Sequence, residues 1–222
     1  MIPTVVIEKV VSPNGGAMVL TQHGSDFVIR VDGIELMGSR NHGSEDALGK
    51  LACQPVLGKT APHVLIGGLG LGYTLRAALD VLPADAKVDI IELVADVIRW
   101  NETVLGHLAN HPLRDPRVTL IHADVADVLA AAAQKYDAVI LDVDNGPDAL
   151  TQDSNVALYR LKGLQMIYQA LRTGGLLAVW SGFPSKTFTA WLGKAGFAAR
   201  CETIRSQFRG GMRHYIWFAT RQ

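Results

Sequence analysis

The sequence has few residues of the kinds that hold disulfides or metals. Cys53 and Cys201 are the two cysteines among 222 residues, and they lie far apart without a Cys-x-x-Cys spacing. We therefore expect two reduced, largely buried thiols rather than a disulfide framework or a thiolate metal site. His107 and His111 are four residues apart, but Pro112 follows at once and no Glu-x-x-His pattern completes them. The sequence predicts no metal site.

An excess of charge of either sign is also lacking. The chain has 21 Lys and Arg against 21 Asp and Glu, so its formal net charge is zero. Nothing attracts a polyanion to the whole molecule, which argues against a nucleic-acid partner. Since 49% of the residues are apolar, the chain can build a conventional core instead of remaining disordered. We expect a globular protein with a small-molecule substrate.

No segment is apolar over a length that spans a bilayer. The most apolar stretch, residues 64–75, has twelve residues, four of which are glycine, whereas a membrane helix needs about 20 apolar residues. The first residues do not combine a basic region with the apolar core of a secretory signal. The sequence thus predicts a protein with no membrane partner, located in the cytoplasm.

Residues 1–55 predict a small N-terminal β-rich segment. Short β-type runs alternate there with turn residues, and Asp32-Gly33 separates two apolar runs. This pair is typical of a tight hairpin, because both central residues of such a turn need a positive φ. A helix with a capping residue near Ser44 and a range of 45–51 follows. We expect a β-meander and one helix.

Residues 56–222 predict a second domain, in which strands and helices alternate. Runs rich in Val, Ile and Leu, joined by helical segments, are typical of a parallel sheet covered on both faces. The last two β-type runs are joined by residues 205–213, which are too few for a helical crossover, so we expect antiparallel pairing. The predicted fold is α/β, Rossmann-like, with a seven-stranded, mostly parallel sheet and a reversed edge strand. The predicted strands are 64–66, 88–92, 118–122, 138–142, 176–180, 199–204 and 214–219.

The strongest motif is a glycine turn between a strand and a helix, in residues 64–72. Glycine lets backbone N–H groups approach a ligand where a side chain would collide. The dinucleotide pattern Gly-x-Gly-x-x-Gly fails because its third glycine would fall at Tyr73, and the Gly-Lys-Ser/Thr of phosphate loops is absent. The spacing Gly68-x-Gly70-x-Gly72 resembles the class I S-adenosylmethionine-dependent transferase fold. We predict that these three glycines bind the cofactor; a tight turn that binds nothing is the alternative.

Two acids downstream of the glycine turn are further cofactor-binding candidates. Glu92 ends the second strand of the domain, where a carboxylate can accept hydrogen bonds from both hydroxyls of a ribose. Asp124 follows the third strand, where it could accept from an adenine amino group. Either residue could instead be a surface or helix-capping acid, and capping is the serious alternative for Asp124.

Several segments of the domain resemble the spermidine synthase family of polyamine aminopropyltransferases. They are Asp115-Pro116-Arg117-Val118 before the third strand, residues 136–142 along the fourth, Leu158-Tyr159-Arg160, and residues 170–177 around the fifth. The resemblance covers about residues 27–180. It implies a cofactor that is S-adenosylmethionine or its decarboxylated form, an amine as the second substrate, and a homodimer formed through the N-terminal strands.

The same resemblance implies a catalytic acid at the end of the fourth strand. In the family this acid takes part in deprotonating the attacking amine, and the matching position here is Asp142. An ammonium has no lone pair, so a nearby carboxylate must bind it and remove a proton before attack. The family's second acid lies three residues later, where this chain has Asn145, and Asp144 is the candidate substitute. Capping of a turn is the structural alternative for Asp142.

The residues with which the family binds its amine substrate are not present in this chain. The family's Gln falls near Leu36, and its Tyr-His-Glu triplet falls near Glu45-Asp46-Ala47. Glu45 and Asp46 could offer replacement carboxylates, yet an exposed first helical turn explains them equally well. Two further hypotheses stay open for this reason: a methyltransferase acting on an unidentified small molecule, and a catalytically degenerate module for nucleotide binding or dimerisation.

Overall fold

The structure is a computed structural model that describes residues 2–12, 15–143, 146–147, 157–205 and 213–222. Two β-sheets account for its strands, one from each part of the sequence. The helices are α1 to α6, at Gly43–Cys53, Tyr73–Val81, Ala95–Glu102, Val125–Ala130, Leu161–Ala170 and Lys186–Lys194. Short 3-10 helices lie at Gln54–Val56, Gly106–Ala109 and Pro112–Arg114.

The N-terminal sheet is an antiparallel meander of four strands in sequence order. Its strands β1 to β4 are Thr4–Val11, Ala17–His23, Asp26–Val31 and Ile34–Gly38. The Asp32-Gly33 pair joins β3 to β4 with φ values of 50° and 82°. Both positive φ values predicted from this pair are therefore present, and the β-meander is confirmed. Helix α1 follows the meander as predicted, with somewhat wider bounds.

The second sheet has seven strands in the order β10-β11-β9-β8-β5-β6-β7. Strands β5 to β11 are His63–Gly67, Lys87–Glu92, Val118–His122, Tyr136–Leu141, Leu171–Ser181, Phe197–Arg205 and Arg213–Arg221. The strands β5 to β9 pair in parallel. This confirms the predicted α/β class with a seven-stranded, mostly parallel sheet.

One detail of the predicted sheet needs correction, namely the place of the reversed strand. Strand β11 pairs antiparallel with both β10 and β9, so it lies one strand inside the edge, and β10 forms the edge. The reason is visible in burial: residues 216–219 of β11 are buried in succession, whereas most side chains of β10 are exposed or half-buried. A strand covered on both faces belongs inside a sheet. Cys201 on β10 is accordingly exposed, contrary to the expectation of a buried thiol, while Cys53 is buried.

Helices cover both faces of the seven-stranded sheet, and the N-terminal sheet shares one of the two resulting cores. Met18, Leu20, Phe27 and Ile29 of the N-terminal sheet are buried in the same cluster as Trp100 and the inward side chains of β5 and β6. A second core lies on the opposite face, under α4, α5 and α6. The N-terminal sheet is thus held against the seven-stranded sheet by burial of apolar surface.

Gly49 permits an unusually close approach of α1 to α2. A Cβ added at this glycine would lie 2.4 Å from the carbonyl oxygen of Thr74 and 2.9 Å from the Cβ of Ala77. A side chain at position 49 would therefore push the two helices apart. Because residues four apart lie on one helix face, Glu45 is on the same side of α1 as Gly49, one turn nearer its N-terminus.

Two features can be stated for the described parts of the chain. No helix among them is long and apolar enough to cross a membrane. No group of three or more His, Cys, Asp or Glu within the described ranges is placed to hold a metal ion.

Candidate active site

A cavity of about 390 Å³ lies between the N-terminal sheet and the carboxyl ends of the parallel strands. Strands β2 to β4 contribute one wall, which includes Met18, Asp32 and Met37. The other wall is formed by the turns after β5, β6, β7 and β8. This is the edge at which open α/β sheets bind their ligands. The N-terminal sheet converts that open edge into a covered cavity.

The charges lining this cavity are of one sign. Six carboxylates line it, and the described residues that line it include no Lys or Arg. The six acids are Asp32, Glu35, Glu45, Glu92, Asp124 and Asp142. Of these six, Glu35 is paired with Arg30 at 3.1 Å, and the other five have no Lys or Arg partner among the described residues. Such a site favours a ligand that brings positive charge, because like charges in a half-buried space repel one another.

The glycine turn lies at the floor of the cavity, and Gly68 is the member of the motif that lines it. Gly68, Gly70 and Gly72 have φ values of 90°, 52° and 86°, a region that favours glycine. A Cβ at Gly68 would lie 2.3 Å from the carbonyl oxygen of Asp142, so no side chain fits there. Gly68 lines the cavity, whereas Gly70 and Gly72 do not. The latter two shape the turn, and Gly72 is the N-cap of α2.

Asn101, which was not predicted from the sequence, stabilises the glycine turn through hydrogen bonds from its side chain. Its side-chain amide is buried and donates to the carbonyl oxygens of Gly70, at 2.8 Å, and Val97, at 2.9 Å. It therefore ties the turn to the last turn of α3. A single Asn inside a helical stretch carries no sequence signal for this role, because the contact joins residues 31 positions apart.

Glu92 occupies the predicted place at the end of β6, next to the glycine turn. Its carboxylate is buried and accepts hydrogen bonds from the backbone N–H groups of Leu69, at 2.9 Å, and Val94, at 2.8 Å. Burial raises the pKa of Glu92, and these backbone hydrogen bonds offset part of that rise. Each carboxylate oxygen keeps a second lone pair with which it can accept from a ligand hydroxyl.

Asp124 is a helix-capping residue that also lies at the cavity. It lines the cavity, and it is also the N-cap of α4, since its carboxylate accepts from the N–H of Ala126 at 2.8 Å. The structural alternative is therefore realised, and it fixes the carboxylate at the cavity wall.

Asp142 lies immediately after β8, where its backbone N–H donates to Gly67 at 2.9 Å. Its carboxylate accepts a hydrogen bond from the hydroxyl of Thr74. Burial of the carboxyl and the negative charge of Glu45 raise the pKa of Asp142 to about 7, and the Thr74 bond opposes this rise. A carboxyl that titrates near neutral pH can exchange a proton with a ligand at the edge of the cavity. Asp144, the predicted second acid, lies outside the described residues.

Glu45 is one of two acids that the sequence left as either replacement carboxylates for the amine or part of an exposed helical turn. It lies in the first turn of α1 and lines the cavity. Its carboxylate accepts from the hydroxyl of Ser44 at 2.5 Å. The neighbouring Asp46 instead pairs with His42 at 2.9 Å and is not among the residues that line the cavity. The structure thus separates two adjacent acids that the sequence could not tell apart.

The strand order, the reversed strand and the cavity at the carboxyl edge define the class of this protein, an α/β protein with a methyltransferase-like fold. A solved spermidine synthase from Thermotoga maritima has this fold, with a TM-score of 0.76 at 19% identity over 98% of this chain and 72% of that one. A family model described as spermine/spermidine synthase domain matches residues 51–208. The chain belongs to this family.

Curated relatives share the domain at moderate identity. Putrescine N-methyltransferase 2 of Nicotiana attenuata is 32% identical over 155 residues, which cover 69% of this chain and 38% of that protein. A polyamine aminopropyltransferase of Korarchaeum cryptofilum is 35% identical over 121 residues, 53% of this chain and 35% of that protein. The chain therefore spans well under half the length of these two relatives.

Proposed function

We propose that the chain is a transferase that moves an aminopropyl-type group from decarboxylated S-adenosylmethionine to a primary amine. The observation that carries this proposal is the cavity lined by six carboxylates with no Lys or Arg among its described lining residues. Both substrates of such a reaction are cations. Family membership supports the proposal, as do relatives named for transfer to putrescine and to polyamines.

The adenosine part of the donor fits the turns around Glu92. Gly68 would admit it to the floor of the cavity, while Gly70 and Gly72 keep the turn in its shape. The Glu92 oxygens, each held by one backbone N–H, would accept from the two ribose hydroxyls. Asp124, fixed by its capping bond, would accept from the adenine amino group.

The lining charges also favour the decarboxylated donor over S-adenosylmethionine itself. The carboxylate of the full methionine chain would enter a space with six acids and no described basic partner. An unpaired carboxylate in such a place costs free energy. The aminopropyl chain, which ends in an ammonium, meets no such penalty.

Asp142 would prepare the nucleophile. When bound, the donor supplies a carbon attached to a positively charged sulfur. Asp142 accepts one proton from the acceptor ammonium, which frees the nitrogen lone pair for attack on that carbon. The nitrogen–carbon bond forms as the carbon–sulfur bond breaks, and the electron pair of that bond neutralises the sulfur. The product amine carries the positive charge, and Asp142 returns its proton to water. Asp144 remains a proposed second acid.

Calorimetry with three nucleosides tests this proposal. We expect decarboxylated S-adenosylmethionine and methylthioadenosine to bind at least about tenfold more tightly than S-adenosylmethionine, as one unpaired carboxylate would produce. Transfer is then measured with putrescine as the acceptor. Preference for the carboxylated donor would point to methyl transfer instead. Absence of binding by all three would favour the degenerate module. The homodimer and the cytoplasmic location stay predictions.

A further inference from the structure

Helix α1 carries a carboxylate to the cavity through a contact that depends on one glycine. Gly49 lets α1 pack directly on the backbone of α2 at Thr74. Glu45, one turn away on the same face, then lines the cavity, as Thr74 and Asp142 do. The hydroxyl of Thr74 lies 3.5 Å from the carbonyl oxygen of Glu45 and donates to the carboxylate of Asp142. One side chain of α2 therefore contacts both acidic segments.

The two acids also interact through their charges. Both carboxylates line the cavity, and the charge of Glu45 raises the pKa of Asp142. Three other groups interact with Glu45. Ser44 donates a hydrogen bond to its carboxylate. The pKa of Tyr73 is raised to about 12 by burial and by nearby acids that include Glu45, and the pKa of His214 is lowered by burial, an effect that Glu45 opposes. None of the three carries a positive charge at neutral pH, so no residue in the described part of the chain is shown to compensate the charge of the pair.

We propose that Glu45 and Asp142 form a two-carboxylate subsite for the ammonium of the acceptor, and that Glu45 determines which amines are accepted. This inference rests on the proposed function and adds a specificity residue to it. An ammonium between two carboxylates satisfies both acids and donates hydrogen bonds to each. Asp142 takes the proton, and Glu45 accepts a hydrogen bond from the amine and holds it in place.

The subsite selects for acceptors that carry no carboxylate of their own. Putrescine is a chain with an amine at each end. Ornithine is the same chain with a carboxylate added beside one amine. Around Glu45 and Asp142 the cavity has four further acids and no described basic residue, so that carboxylate would be repelled without a partner. We therefore expect putrescine to bind and ornithine to be rejected.

Two matched variants test the role of Glu45. Glu45→Gln removes the cavity-lining charge and keeps the shape of the side chain. Asp46→Asn removes the adjacent charge, which is paired with His42 outside the cavity. Binding of putrescine is measured by calorimetry with methylthioadenosine present, so the readout does not require turnover. We expect about tenfold or greater weakening in Glu45→Gln, as loss of one charged hydrogen bond produces, and less than about twofold in Asp46→Asn.

Two further readouts separate specificity from mere structural support. The ratio of ornithine to putrescine affinity should rise in Glu45→Gln, because one repelling charge is gone. The pH at which the rate of transfer reaches half its maximum should fall, because Asp142 loses the neighbour that raises its pKa. A residue that only supports the fold would change neither quantity.

The failure of this inference is distinct from the failure of the proposed function. If the native chain binds no nucleoside, the proposed function fails. If it binds methylthioadenosine but not putrescine, or if Glu45→Gln binds putrescine as the native chain does, the amine subsite is overturned and the nucleoside site stands. Equal binding of ornithine and putrescine would likewise overturn the selective role of Glu45.

Discussion

Two groups of carboxylates lie along the same parallel strands and have opposite surroundings. Near the amino ends, Asp89 accepts from Lys135 at 2.9 Å and Tyr136 at 3.0 Å, and Asp137 accepts from Lys59 at 2.9 Å. Burial would raise the pKa of Asp89, but its hydrogen bonds lower it to about 2. Burial likewise opposes the hydrogen bonds that lower the pKa of Asp137.

At the carboxyl ends the acids have no such compensation. The pKa of Glu92 and the pKa of Asp142 are both raised by burial, and that of Asp142 is raised further by Glu45. Their described partners are backbone N–H groups and a hydroxyl rather than cations. Asp89 and Asp137 are therefore paired with lysines of the protein. Glu92 and Asp142 have no described cationic partner, so a cationic ligand would stabilise their charges.

The largest expected effect is on catalysis, at the uncompensated end. Asp142→Asn should lower the rate of transfer by about 10²- to 10³-fold, because it removes the proton acceptor. The affinity for methylthioadenosine, measured by calorimetry, should stay within about threefold. An unchanged rate would remove Asp142 from the catalytic role and would leave the contrast between the two ends without functional meaning.

At the compensated end we expect a loss of stability instead. Asp137→Asn should lower the free energy of unfolding in urea at pH 7 by about 2 kcal/mol, since Lys59 and Arg172 lose a charged partner but stay partly exposed. The pKa of Asp137 is lowered in the folded state, so its contribution is present at neutral pH and is lost as the pH falls through that pKa. The difference between native and variant should therefore shrink as the pH falls below about 4, the ordinary pKa of an aspartate.

The matched control for this stability effect is Asp142→Asn. The pKa of Asp142 is raised, so the folded state binds more protons than the unfolded state in the range up to about pH 7, and its stability falls as the pH rises there. Removal of this group should leave the stability at pH 8 unchanged or higher. Equal destabilisation by both variants would contradict the proposed difference between the two ends.

The pH dependence of the transfer rate tests whether the raised pKa of Asp142 matters for the reaction. If Asp142, with a pKa of about 7, must be ionised to accept a proton, the rate at low acceptor concentration should fall about fivefold between pH 7 and pH 6. The measurement is initial rates over a buffer series at constant ionic strength. A flat profile through this range would show that a group other than Asp142 limits the reaction.

The smallest expected effect concerns the contact that brings Glu45 to the cavity. Gly49→Ala should destabilise the protein by about 1 kcal/mol, because the overpacking cost exceeds the gain in helix propensity. Gly193 in α6 is the control, since a Cβ there meets nothing within 4 Å, so Gly193→Ala should be neutral or stabilising. Urea unfolding measures both, and a stabilising Gly49→Ala would contradict the close packing of α1 on α2.

The sequence predicted best what depends on neighbours along the chain. The positive φ values at Asp32 and Gly33, the glycine turn and the position of Glu92 at the end of its strand all follow from local residue chemistry. The position of β11 inside the sheet could not be predicted from neighbouring residues, because it depends on which strands pair with it, and one of them, β9, is not its neighbour in the chain. The role of Glu45 depends on Gly49 touching α2 across 25 residues of chain, and that of Asn101 depends on a comparable tertiary contact.

The absence of a side chain at Gly68 joins the two halves of the candidate site. Its α-carbon faces the carbonyl oxygen of Asp142 with no room for a methyl group between them, and the Asp142 N–H is bonded to Gly67. A shift of the cavity floor at Gly68 must therefore move the backbone of Asp142, the proposed proton acceptor. A sequence change that alters the donor preference would consequently displace the proposed reaction centre, unless the segments around Gly68 and Asp142 changed together.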